Sequence, residues 1–244
     1  MKKHIPNAIT CLNLFSGCVA VYLIFQSSPN NLISLTFAAY LVGLAAVLDF
    51  LDGLAARVLH AYSEIGKQLD SLADMVSFGV VPGAILFKLM QKSALADPDT
   101  SLLEAELMPF AAFLIIIFSA LRLAKFNIDT RQTTSFIGLP TPACTLFVAS
   151  LPLILEYGDL MHYEIILNPL VLLVLTVLLS FLLVAELPLF ALKFTNLKWQ
   201  DNSVRFIFLG LSVILAALLN FAAIPLIIVL YILLSIIKKT SQSS

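Results

Sequence analysis

Charge is scarce in this chain. Asp, Glu, Lys and Arg make up 12% of its 244 residues, against 60% hydrophobic residues, whereas soluble domains carry about 25% charged residues. That scarcity excludes an ordinary water-soluble domain. The formal net charge of −1 says little about partners, and no nucleic acid is expected. Three cysteines, Cys11, Cys18 and Cys144, all lie in apolar stretches. An odd number so placed excludes a disulfide framework or a thiolate metal site and leaves helix packing as their role. The three histidines, His4, His60 and His162, have no partner at ligand spacing. No solenoid period or low-complexity segment is visible, and the polar end from Thr240 to Ser244 reads as a disordered tail.

What the chain has instead is long apolar runs, with a mean hydropathy of +1.01. These predict an all-α, polytopic transmembrane bundle of about eight spans, at 8–26, 32–56, 67–90, 107–124, 138–156, 164–184, 204–219 and 221–237. Asn220 and Pro225 leave the last two spans open to a second reading, a hairpin of shorter helices. The opening Met1-Lys2-Lys3-His4 resembles a signal peptide and Phe15-Ser16-Gly17-Cys18 a lipoprotein cleavage site, but the apolar run continues to Phe25 and reads as a retained helix. With both ends inside, 12 of the 14 basic residues fall on the inner side: Lys2, Lys3, Arg57, Lys67, Arg122, Lys125, Arg131, Lys193, Lys198, Arg205, Lys238 and Lys239. The acids Asp97, Asp99, Glu104, Glu106, Glu156, Asp159 and Glu164 fall outside. The positive-inside rule then places both termini in the cytoplasm. No separate soluble domain fits, so any chemistry belongs to the bundle.

Against this background four carboxylates stand out. Asp49 and Asp52 share a stripe with Gly53 and Ala56 at helical spacing, and Gly66, Asp70 and Asp74 form a second stripe four residues apart. A short turn around His60 to Glu64 brings the two faces opposite each other. An ionised Asp in a bilayer costs several kcal/mol unless it is paired, hydrated or metal-bound. Four acids with one nearby Arg57 exceed what structural ion pairing explains. Oxygen-only donors favour a hard divalent cation, Mg²⁺ or Mn²⁺, and four carboxylates suffice for two. Such a pair suits phosphoryl chemistry, with Arg57 adding a planar cation for phosphate and Gly53, Ala56 and Gly66 leaving room for a ligand.

The eight residues Asp49, Asp52, Gly53, Ala56, Arg57, Gly66, Asp70 and Asp74 also match every fixed position in the signature of the CDP-alcohol phosphatidyltransferases. The resemblance implies a membrane enzyme that displaces CMP from a CDP-linked lipid with an alcohol. It implies that the four Asp hold two metals, with Asp74 also the general base, and that the Gly and Arg positions line the CDP site. It further suggests a homodimer. The flanks Pro6 to Thr10, Leu12 to Gly17, Ser71 to Val80, Arg122 to Asn127 and Phe136 to Pro142 resemble the bacterial integral-membrane members that use L-serine. Lys125 stands where that group carries arginine, keeping the charge and losing the bidentate fork. The resemblance therefore implies CDP-diacylglycerol and L-serine as substrates, a catalytic core over 1–143, supporting helices over 144–244, and a bacterial inner-membrane location.

Remaining polar residues admit two roles. Asn7 and Thr10, with Asn13, are expected either to cap and bridge helices or to line the CDP-lipid site. Arg122, Lys125, Asn127 and, more weakly, Arg131 are either snorkelling anchors or the acceptor-binding group. Glycerol 3-phosphate or an inositol compound is the alternative acceptor, and a divalent-cation transporter is the alternative class.

Overall fold

The computed structural model describes residues 4–28, 31–96, 102–129, 135–190 and 198–242. The expected breaks at Pro29-Asn30 and Asp97–Asp99, and the residues Lys2, Lys3, Arg131 and Lys193, lie outside them. Among the described residues the regular structure is helical apart from one short strand pair. Its order is α1 (His4–Gln26), α2 (Ile33–Val58), α3 (Glu64–Asp74), a π-helical turn (Met75–Val80), α4 (Val81–Ala96), α5 (Leu102–Leu107), a 3₁₀ turn (Met108–Ala112) and α6 (Phe113–Ile128). There follow β1 (Ser135–Ile137), α7 (Thr141–Tyr157), α8 (Leu160–Ile166), α9 (Pro169–Val184), β2 (Pro188–Phe190), α10 (Trp199–Leu219), a 3₁₀ turn (Asn220–Ala222) and α11 (Ala223–Gln242).

Among the described residues, five helical stretches are long and apolar enough to cross a membrane: His4–Gln26, Ile33–Val58, Glu64–Leu95, Ala105–Ile128 and Trp199–Lys238. The apolar helices α7 and α9 have 17 and 16 residues, about 25 Å of rise each and just short of the hydrocarbon thickness. The protein is a helical membrane bundle. The last stretch is the two separate spans of the first reading, α10 of 21 and α11 of 20 residues rather than shorter helices, folded as a hairpin: Phe208 and Tyr231 pack ring to ring at 5.7 Å, and Asn220, at φ 49°, reverses the chain between α10 and α11.

Two boundaries depart from expectation. The span expected at 164–184 is two helices, because Pro169 cannot continue α8 and the Asn168 side chain accepts from the backbone N–H of Leu170 and Val171, starting α9 afresh. The third span continues through the π turn directly after Asp74. The strand pair was not foreseen either: Ser135 to Ile137 run antiparallel to Pro188 to Phe190, three-residue segments too short to show a period.

The core centres on α4, whose Val81, Ile85, Leu86, Leu89 and Met90 are fully buried among α1, α6, α7 and α9. Cys144 is buried in this packing, whereas Cys11 and Cys18 lie on the outward face of α1. The strand pair is buttressed by the C-terminal hairpin: the buried Tyr231 hydroxyl donates to the Phe190 carbonyl at 2.8 Å. Gly138 follows β1 at φ +77°, and a Cβ there would sit 2.7 Å from the Leu183 carbonyl oxygen. Gly138→Ala is therefore expected to destabilise the bundle by about 1–2 kcal/mol from the left-handed backbone alone, read as a lower unfolding temperature of the detergent-purified protein.

Candidate active site

The site is built at one end of α1, α2 and α3. A Schellman closure ends α2: His60 takes φ 50° and the Ala61 N–H bonds back to the Ala56 carbonyl at 2.9 Å. Ser63 then caps α3, accepting from the Gly66 N–H at 3.1 Å. From this turn α2 and α3 splay, each packing on α1 rather than on the other. The gap between them is a cleft of about 360 Å³ lined by Asn7, Thr10, Asp52, Gly53, Ala56, Arg57, Gly66, Lys67 and Asp70.

Carboxylate oxygens of Asp49, Asp70 and Asp74 lie within 4.8 Å of one another, all half-buried. Asp52 is placed differently. It is 6% exposed and accepts a 2.7 Å hydrogen bond from the Thr10 hydroxyl. It lines the cleft with Asp70 while the other three cluster beside it. Asp74 Oδ1 is buried with no hydrogen-bond partner among the described residues. Three like-charged, oxygen-only groups at that separation, one of them with an orphaned buried atom, fit a divalent cation. Among the described residues no lysine or arginine forms a salt bridge to them. The sequence-level idea that the small residues simply leave room holds for Gly53, where a Cβ would meet only Arg57 Nη2, at 3.6 Å. Gly66 lines the cleft too, and there Asn7 Oδ1 and Ser63 Oγ also press within 2.9 Å of where its Cβ would be.

Of the acceptor candidates, Arg122 is 6% exposed, with Nε unpartnered and its guanidinium 5.1 Å from the Phe126 ring centroid. Asn127 is occupied: its amide donates to Ser71 Oγ at 2.8 Å, tying α6 to α3, while its carbonyl accepts from Lys67 Nζ at 3.5 Å. Lys125 is exposed, and Arg131 is outside the described residues.

Sequence reasoning missed the clamp on the π turn. A π turn interrupts the regular backbone ladder, and such turns recur at functional sites. Here two fully buried hydroxyls tie it to its neighbours: Thr145 Oγ1 on α7 donates to the Phe78 carbonyl of the turn at 2.8 Å, and the turn's own Ser77 Oγ donates to the Asn13 carbonyl on α1 at 3.1 Å. Gly17 allows the second contact, since a Cβ there would collide with Ser77 Oγ. No sequence signal marked Thr145.

A carboxylate cluster beside a cleft lined by Asp52, Asp70, Arg57 and Lys67 at one end of a membrane bundle is suited to hold a cation against a phosphate-bearing ligand. The family profile of the CDP-alcohol phosphatidyltransferases matches residues 3–185. The chain belongs to that family and is a transferase of phospholipid synthesis. It is 32% identical over 144 residues to the CDP-diacylglycerol–serine O-phosphatidyltransferase of Bacillus subtilis, covering 57% of this chain and 70% of that protein. The enzyme of the same name from Helicobacter pylori strain J99 is 34% identical over 145 residues, 59% of this chain and 54% of the relative. The archaetidylserine synthase of Methanothermobacter thermautotrophicus is 31% identical over 161 residues, 64% of this chain and 60% of that protein. The match thus spans little more than half of the last two.

Unpairing the π-turn carbonyl should be felt at Asp74 one turn away. Thr145→Val is expected to cost about 1–3 kcal/mol for the buried orphaned group and to lower turnover, while Thr145→Ser keeps both. Thermal unfolding and CMP release on the same preparations decide it, and wild-type values for both readouts in Thr145→Val would remove the clamp.

Proposed function

We propose that the chain transfers the phosphatidyl group of CDP-diacylglycerol to L-serine, giving phosphatidylserine and CMP. The single observation that carries the reaction class is the convergence of Asp49, Asp70 and Asp74 within 4.8 Å beside the Asp52–Arg57 cleft. Support for serine comes from the names of the relatives and from the buried, unpartnered Arg122 Nε, suited to a carboxylate.

In this reading Asp49, Asp52, Asp70 and Asp74 would hold two divalent cations, Mg²⁺ or Mn²⁺, which supply neutralisation of the diphosphate charge. The chain's own groups do the rest. The cleft floor of Gly53, Ala56 and Gly66, with Asn7 and Thr10, takes the cytidine diphosphate, and Arg57 at the mouth meets its phosphates. Thr10 fixes the Asp52 carboxylate through the 2.7 Å bond. Arg122 receives the serine carboxylate, with Lys125 and Arg131 adding positive charge and Asn127 keeping α6 against α3. Asp74 Oδ1 takes the proton from the serine hydroxyl, the oxygen attacks the phosphorus bearing diacylglycerol, and CMP departs. The catalytic machinery occupies 1–143 of a single transmembrane unit, supported by 144–244. Both termini and the cleft face the cytoplasm of a bacterial inner membrane, and the chain works as a homodimer.

CMP release should require added L-serine and yield a phospholipid carrying both a primary amine and a carboxylate. Turnover on glycerol 3-phosphate or an inositol compound, with none on serine, overturns the acceptor and leaves the family. Asp49→Asn and Asp70→Asn are expected to raise the Mg²⁺ or Mn²⁺ concentration needed for half-maximal rate. Asp74→Asn should abolish turnover at saturating metal while CDP-diacylglycerol still binds, because an amide cannot accept the proton. Arg122→Ala should raise the serine KM about tenfold or more, as loss of a charge-assisted bond implies, and leave the CDP-lipid KM unchanged. Equal weakening of both substrates excludes a serine-specific role.

A further inference from the structure

At the end of the bundle remote from the carboxylates, α7, α8 and the turn of the C-terminal hairpin enclose a cavity of about 980 Å³. Its polar groups are Tyr157, Asp159, His162 and Asn220, and Phe221 completes the wall. A second, almost wholly apolar chamber of about 350 Å³ adjoins it, running between α7, α9 and α11 along Phe147, Leu151, Leu172, Leu175 and Leu226. The two share Ile154, His162 and Ala222 in their walls, so a polar mouth and an apolar slot lie side by side. From Tyr157 at the mouth to Phe147 in the slot is ten residues of α7, about 15 Å of rise. That is half the hydrocarbon thickness of a bilayer, the depth of one leaflet's acyl layer.

The mouth has a charge and a shape. Asp159 caps α8 and accepts from the His162 backbone N–H and approaches the ring Nδ1 at 2.5 Å. The backbone bond first, and the ring bond second, hold its carboxyl below the ordinary aspartate value, so it is an anion at neutral pH. Glu156 and Glu164 are exposed next in sequence or within one turn of the lining residues Tyr157 and His162, Lys92 lies over the Tyr163 ring, and Lys88 donates to the Ser27 carbonyl. Tyr157 stacks obliquely on Phe221 with centroids 5.3 Å apart, and the Tyr40 hydroxyl donates to the Tyr157 hydroxyl at 3.1 Å, fixing the ring. Aromatic faces beside a carboxylate recognise an ammonium group, and an acidic rim repels an anionic head. His162 belongs to both chambers and stands where head meets chain.

We propose that this cavity binds a phospholipid of the leaflet remote from the carboxylate site, with one acyl chain in the slot and an ammonium-bearing zwitterionic head group against Asp159, Tyr157 and Phe221. The site is separate from the reaction centre and independent of the acceptor assigned above. A leaflet lipid seated here packs the hairpin against α7 and α9.

The test is native mass spectrometry of the detergent-purified full chain with phosphatidylethanolamine or phosphatidylglycerol of identical acyl chains. Wild-type protein should retain phosphatidylethanolamine about tenfold more strongly. Asp159→Asn, which keeps a good helix cap, should abolish that preference. Leu175→Trp, which fills the slot, should abolish retention of both lipids. Asp74→Asn, at the other end, should bind both as wild type does. Equal retention of the two lipids, stronger retention of phosphatidylglycerol, no retention of either, a preference surviving Asp159→Asn, or retention surviving Leu175→Trp would each overturn the proposal.

Discussion

Negative charge concentrated inside an apolar bundle is the constraint around which this molecule is arranged. Asp49, Asp70 and Asp74 are held within 4.8 Å, close enough to repel strongly where water is sparse. A fold tolerates this only if the helices carrying the acids are fixed by contacts elsewhere. Here α2 and α3 both lean on α1, Asp52 is tied to α1 through Thr10, and Asn127 of α6 grips α3 at Ser71. The acids are thus braced from outside their own cluster, which leaves the side facing the cleft free for a ligand.

The same logic extends to the region beyond the family match, which ends at residue 185. The α10–α11 hairpin reaches back through Tyr231 to β2, β2 pairs with β1, and the Leu139 N–H just after β1 bonds the Leu182 carbonyl at 2.8 Å. Those bonds set the start of α7, the helix whose Thr145 holds the π turn. The hairpin is therefore linked to the carboxylate end through hydrogen bonds joined by short stretches of covalent chain.

The helices and the acidic stripes were legible in the sequence because lipid imposes a coarse pattern: apolar runs of about 20 residues and charges that must have a reason. The motif spacing placed Asp49, Asp70 and Asp74 together because helical periodicity alone puts them on facing stripes. Other features were hidden. Asp52 pairs with Thr10 through a contact 42 residues away in sequence, and the π turn arises from tertiary bonds to α1 and α7 that no local propensity encodes. The break at Asn168–Pro169 was readable in principle, since Pro after a capping Asn starts a helix, but a continuous apolar run masks it. The close approach of Asn7 to Gly66, in addition to the space read there, was not legible.

The splay of α2 from α3 has a kinetic meaning. Large apolar side chains are exposed along both, among them Phe50, Leu54 and Val58 on one and Ile65 and Leu72 on the other. In the proposed reaction, a lipid-linked diphosphate would slide its head into the cleft sideways while its tails stay among neighbouring lipids. No tail has to leave the bilayer, so the encounter is two-dimensional. Its frequency follows the mole fraction of substrate in the membrane surface, and diluting that surface with inert lipid slows it even when the bulk amount is unchanged.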